Sequence, residues 1–100
     1  MIRHCVLLDF HAGTEAHAVV DLVDQLHAMA AALGPATPTS FRAATDLGLS
    51  ETNHDLAIVA DFESLDHYRA YAAHPRHLAF IEERLKPVLA SRCAVQMDLA

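Results

Sequence analysis

Basic residues are scarce. Seven Lys and Arg stand against thirteen Asp and Glu in 100 residues, a formal charge of −6 with histidine neutral. Phosphate backbones and anionic lipid surfaces are held by clustered cations, so nucleic acid and membrane surfaces are not expected partners. Long apolar runs are missing too. No stretch approaches the ~18 consecutive apolar residues of a membrane-spanning helix. The apolar start, Met1 to Phe10, carries Asp9 and no small-residue cleavage site, so it is not read as a signal peptide. Cysteine is limited to Cys5 and Cys93, too few for a disulfide scaffold. Both fall in strand-like stretches, which predicts two buried thiols and a reducing, cytoplasmic compartment. Three glycines leave no room for a phosphate-cradling loop, and neither G-x-S-x-G nor C-x-x-C occurs. No cofactor is expected.

What is abundant is apolar surface, at 53% of residues. One domain spanning residues 1–100 is expected, with about two-thirds of the unfolded surface buried. Ile2–Phe10 reads as a strand with two apolar faces: Ile2, His4, Val6, Leu8 and Phe10 on one, Cys5 and Leu7 on the other. One layer of helices covers one face, and the other calls for a second copy of the chain. Thr14 is a plausible N-cap for a helix carrying Val19, Leu22, Val23, Leu26, Met29, Ala30 and Leu33 at helical spacing. Gly34-Pro35 stops it.

Pro38–Leu47 is a weaker strand that suits an edge. His54–Phe62 alternates clearly. Ser64 reads as the cap of a short helix, and Pro75 ends that helix and suits the first position of the next. Leu78, Ile81 and Leu85 are its expected inner face, and Pro87 closes it. Arg92–Leu99 is the last strand. The order β-α-β-β-α-β predicts an α+β, ferredoxin-like protomer: a four-stranded antiparallel sheet with helices on one face, its other face paired in a homodimer.

Histidine is over-represented, with eight in the chain. His11, His17, His27 and His67 fall in turns or near polar helix faces and read as solvent residues. His4 sits between Ile2 and Val6 on an apolar face and needs a partner for its ring. The densest cluster is the run YRAYAAHPRH, with Tyr68, Tyr71, His74 and His77. Tyr68 and Tyr71 share a helical face. Pro75 puts Tyr71 and His77 on two sides of a bend that aims both into one cavity. A neutral His77 would accept a proton, and Tyr71 would donate a hydrogen bond to a carbonyl becoming an enolate. Ring packing and helix capping explain the same residues without chemistry. His74-x-x-His77 has the i, i+3 spacing of metal ligands, but Pro75 takes His74 out of the regular helix, and no metal centre is expected.

The starting M-I-R-H, the strand H-D-L-A-I-V-A-D-F-E, the motif Y-x-x-H-P-x-H and the final strand resemble the stress-responsive dimeric α/β-barrel (Dabb) proteins over essentially the whole chain. The resemblance implies a homodimer whose two sheets form a barrel. One branch of that family comprises olivetolic acid cyclase-like polyketide cyclases, which close a linear polyketide by cofactor-free C2–C7 aldol condensation. By that match Tyr71 and His77 take the catalytic positions and His4 lies near the pocket. Leu56 stands where those cyclases carry a third-strand histidine, which changes the polarity of the pocket. The implied function is a cofactor-free acid–base enzyme, cyclase- or isomerase-like, on a small β-keto or phenolic compound. Tyr68, His74 and Leu56 join His4 as expected substrate-binding positions. The alternatives are a non-catalytic dimeric binding module and a cofactor-free monooxygenase of the antibiotic-biosynthesis type.

Overall fold

In the computed structural model, which describes residues 1–100, strand β1 (Ile2–Phe10) is followed by helix α1 (Ala16–Ala31) and a 3-10 turn at Gly34–Ala36. Strands β2 (Ser40–Thr45) and β3 (Leu56–Phe62), helices α2 (Leu65–Ala73) and α3 (Pro75–Phe80), a π-helical turn at Ile81–Leu85 and strand β4 (Leu89–Asp98) complete the chain. The four strands form one sheet in the order β2-β3-β1-β4, antiparallel throughout. This is the expected ferredoxin-like arrangement, with β2 at an edge.

The register fixes the faces. His4, Val6 and Leu8 pair with Ala60, Ile58 and Leu56 on β3 and with Gln96, Ala94 and Arg92 on β4. All of these side chains point to the helix side, because strand residues two apart share a face. The core there joins Val6, Leu8, Leu56 and Ile58 to Leu22 and Leu26 of α1 and to Phe80 and Leu85. A second cluster packs Phe62 and Ala60 against Tyr71, Leu33 and Ala36. The side chain of Ser64 caps α2 by accepting from the His67 amide. At the bend, His74 adopts an extended backbone and Pro75 opens α3. Thr14 does not cap α1. Its hydroxyl instead donates to the His11 carbonyl, and the cap position falls to Glu15 with no side-chain bond.

The expected inner face of α3 is only partly correct. Leu85 is buried and Ile81 partly so, but Leu78 is 52% exposed and Phe80 is buried in its place. The cause is the π turn, where the Lys86 amide bonds the Ile81 carbonyl, five residues back. That turn offsets the helical phase, so Phe80 and Leu85, five apart, meet the core together.

The opposite face of the sheet is open. Leu7, Val59, Val95 and Met97 lie there, 38–50% exposed. Polar groups bound it at both ends. Arg3 makes a bidentate pair with Asp61 at 2.8 and 2.9 Å. At the other end Asp9 accepts from His54 Nδ1 and Ser91 Oγ, both at 2.8 Å. The cysteines correct the sequence reading: Cys5 is half-buried and Cys93 exposed on this open face. β4 has no cover of its own, since every residue from Ala90 to Asp98 is exposed.

Candidate active site

Four of the expected site residues meet between the helices and the sheet. His4 comes from the middle of β1, Tyr68 and Tyr71 from α2, and His77 from α3 across the Pro75 bend. They line one cavity of about 190 Å³, whose other walls are mostly apolar, among them Met29, Ile58 and Phe80. The Tyr71 and His77 rings lie 4.3 Å apart, tilted by 42°. Tyr71 is 3% exposed and leans on Phe62, with centroids 5.0 Å apart. The His4 ring sits 5.1 Å from Tyr68 and 6.4 Å from Tyr71.

Hydrogen bonds assign the protons. The Ala72 carbonyl can only accept, so His77 Nδ1, 3.1 Å away, carries a proton and donates it there. His77 Nε2 therefore keeps its lone pair. Burial pulls the His77 pKa below its ordinary value, and the charge of Arg92 adds to this, against the opposing pull of the Ala72 carbonyl. The ring is thus neutral near pH 7, as a base must be. The Gln96 amide donates to His4 Nδ1 at 2.9 Å, which leaves the proton on Nε2. Burial, then the charges of Arg92 and His77, lower the His4 pKa to about 4. Burial above all raises the Tyr71 pKa to about 12, so the phenol keeps its proton. Every sealed polar side-chain atom has a partner. The Tyr71 hydroxyl bonds no group of the chain and so opens to the cavity. The arrangement holds one basic nitrogen and two neutral donors in an apolar setting. A base that takes a proton next to a carbonyl, with donors for the oxygen that gains charge, has these parts.

Two expected residues lie elsewhere. Leu56 is 1% exposed in the core and outside this cavity; Ile58, one step along the same face of β3, lines it. His74 turns to the other side of the bend, where Nδ1 accepts from the Arg76 amide and caps α3. Nor are His27 and His67 free solvent residues. His27 links the Val23 carbonyl to the Ala43 amide. His67 links the Glu63 amide to the Thr37 carbonyl, 30 residues away in sequence. Sequence reasoning missed Arg92 in the cavity wall and Gln96 behind His4. The signal was the two-residue alternation of β4, which puts Arg92, Ala94 and Gln96 on the face opposite Cys93, Val95 and Met97. No three His, Cys, Asp or Glu side chains converge as a metal ion would require.

The model of the stress-responsive A/B barrel domain matches residues 2–99. Among solved structures, the chain is 35% identical to a dimeric ferredoxin-like protein of unknown function from Thermobifida fusca YX. It superposes with a TM-score of 0.86, covering 98% of this chain and 90% of that one. A Dabb family protein with a ferredoxin-like fold from Mesorhizobium loti is 18% identical, with a TM-score of 0.82 over 99% and 96% of the two chains. A hydroxynitrile lyase from Passiflora edulis is 15% identical, with a TM-score of 0.78 over 99% and 94%. These last two likenesses speak for the fold alone. No curated protein matches the sequence. The matched residues, the βαββαβ order and the antiparallel sheet agree: the chain belongs to the stress-responsive A/B barrel domain (Dabb) family.

Proposed function

We propose that the protein is a cofactor-free acid–base enzyme acting on a small carbonyl compound, with Tyr71 and His77 as its catalytic residues. His77 Nε2 removes a proton from the carbon beside a carbonyl. Tyr71 donates to the carbonyl oxygen as it becomes an enolate, with His4 Nε2–H as a second donor and Tyr68 as a packing wall. The enolate carbon then forms a bond to a second carbonyl carbon of the same molecule. The new alkoxide takes up a proton, so the step is an isomerisation with atoms balanced. The observation that carries this reading is the neutral Tyr71–His77 pair, with rings 4.3 Å apart, facing an apolar cavity.

The cavity limits the substrate. Ligand sites of drug-sized molecules run from about 300 Å³ upward, while a cavity near 150 Å³ suffices for benzene. At about 190 Å³, this one suits a single ring or a short β-dicarbonyl chain rather than a long polyketide. The same small volume favours, as a second reading, a dimeric binding module without chemistry. The hydroxynitrile lyase from Passiflora edulis shares the fold. We also infer that the chain is a single domain and a homodimer. The apolar centre of the open face, with Leu7, Val59, Val95 and Met97 exposed, is the surface such a pairing buries. The T. fusca relative is dimeric. Two free thiols suit the cytoplasm.

The test is an NMR titration of the histidine side chains with acetylacetone and with phenol. Saturable shifts at His77 that weaken in Tyr71→Phe are expected. Shifts confined to surface histidines such as His17 would overturn the site.

A further inference from the structure

Arg92 is the one charged side chain in the cavity wall. No Asp or Glu lines that cavity, and His4 and His77 are neutral there. The chain has thirteen acidic residues, yet Arg92 forms none of its ion pairs. Those join Arg3 to Asp61 and Lys86 to Glu82. Its guanidinium also makes no hydrogen bond within the chain. Its place is set by register. Arg92 pairs with Leu8 on β1, so its side chain rises on the helix side, the face His4 shares, and away from the open face. A partner subunit on the open face therefore leaves it free to meet a ligand. Its charge reaches His4, His77 and Tyr71, acting on each in the direction a nearby cation requires.

The Arg92 guanidinium stands at the rim of the cavity, exposed and without a partner in the chain. Its planar fork matches a carboxylate with two parallel hydrogen bonds. We propose that Arg92 selects a carboxylate-bearing substrate, a small keto acid whose carboxylate it clamps while the carbonyl meets Tyr71. This inference rests on the proposed acid–base reading, which it refines by naming the substrate class. Arg92 is the specificity residue, and His77 and Tyr71 remain the catalytic ones.

The experiment measures dissociation constants for two matched pairs, acetoacetate with methyl acetoacetate and levulinate with methyl levulinate, by NMR at low and high salt. The acids are expected to bind wild type about tenfold or more tightly than their esters, the range of a charge-assisted hydrogen bond. Added salt narrows that gap. Arg92→Met removes the preference by weakening the acids and leaves the esters unchanged. Arg92→Lys keeps part of it. Thermal melts check the fold of each variant, and Arg92 is exposed with no internal bond to lose. Equal binding of acid and ester to wild type, or equal loss of both in Arg92→Met, overturns the proposal. The two claims fail separately. A charge preference carried by Arg92 without any accelerated proton exchange sinks the enzyme reading alone. Exchange on neutral ketones with no charge preference sinks the role of Arg92 alone.

Discussion

At the scale of single residues, the site is a problem in proton placement. Two histidines are held neutral by burial and by Arg92, and a tyrosine is held protonated by burial. Tyr71→Phe should therefore cost about 10²–10⁴-fold in turnover, the range of a positioned acid or base, and leave the melting temperature almost unchanged. The hydroxyl has no partner in the chain, so its loss orphans nothing, and the ring keeps its packing on Phe62. Turnover should rise with pH through an apparent pKa below 6.5, since His77 accepts a proton only when neutral. It should then stay level through pH 9, because Tyr71 titrates near 12.

The same burial has a stability consequence. The folded pKa of His4 lies below its unfolded value, so the unfolded chain takes up protons first as pH falls. Stability is complete above about pH 6.5 and is lost progressively towards pH 4, by on the order of 2–3 kcal/mol for His4. Urea midpoints at pH 7 and 4.5 should show this difference, and His4→Gln should shrink it. That Tyr71 and His77 would meet was legible from the Pro75 bend, and His4 stood out as a polar group on an apolar stripe. Arg92 was not legible, because the alternation of β4 gives its face of the sheet but not what that face meets. Only its pairing with Leu8, 84 positions away, brings it to the cavity.

At the scale of elements, alternation and caps carried most of the reading. The α1 stripe, the Ser64 cap, the Pro75 break and the two-faced β1 all stand as the residues implied. These features rest on neighbours a few residues apart. The phase of α3 was not legible, because a π turn is chosen by the packing of Phe80 and Leu85 and not by local spacing. Ser64→Ala should cost about 1 kcal/mol by removing the acceptor for the His67 amide. Phe62→Ala should cost about 3–5 kcal/mol, since Phe62 is fully buried beneath Tyr71. Chemical denaturation reads both. Phe62→Ala should also weaken ligand shifts at His77, because Tyr71 loses the wall it leans on.

At the scale of the whole molecule, the protomer leaves one face of its sheet uncovered and carries its cavity on the other. The two are separated by the thickness of β1, where His4 faces the cavity and Cys5 the open side. Val95→Asp, at the apolar centre of the open face, should turn a dimer into a monomer in sedimentation at micromolar concentration. The cavity residues should keep their chemical shifts, because they lie on the opposite face of the sheet. The central claim is that the cavity removes a proton next to a carbonyl without a cofactor. Its most direct test is proton–deuterium exchange at the single α-carbon proton of ethyl 2-methylacetoacetate in D₂O, followed by NMR against the buffer background. The account predicts exchange accelerated by wild type and reduced to background by His77→Ala, with Tyr71→Phe strongly slowed. Exchange at the background rate with wild type, or acceleration that survives His77→Ala, would contradict it.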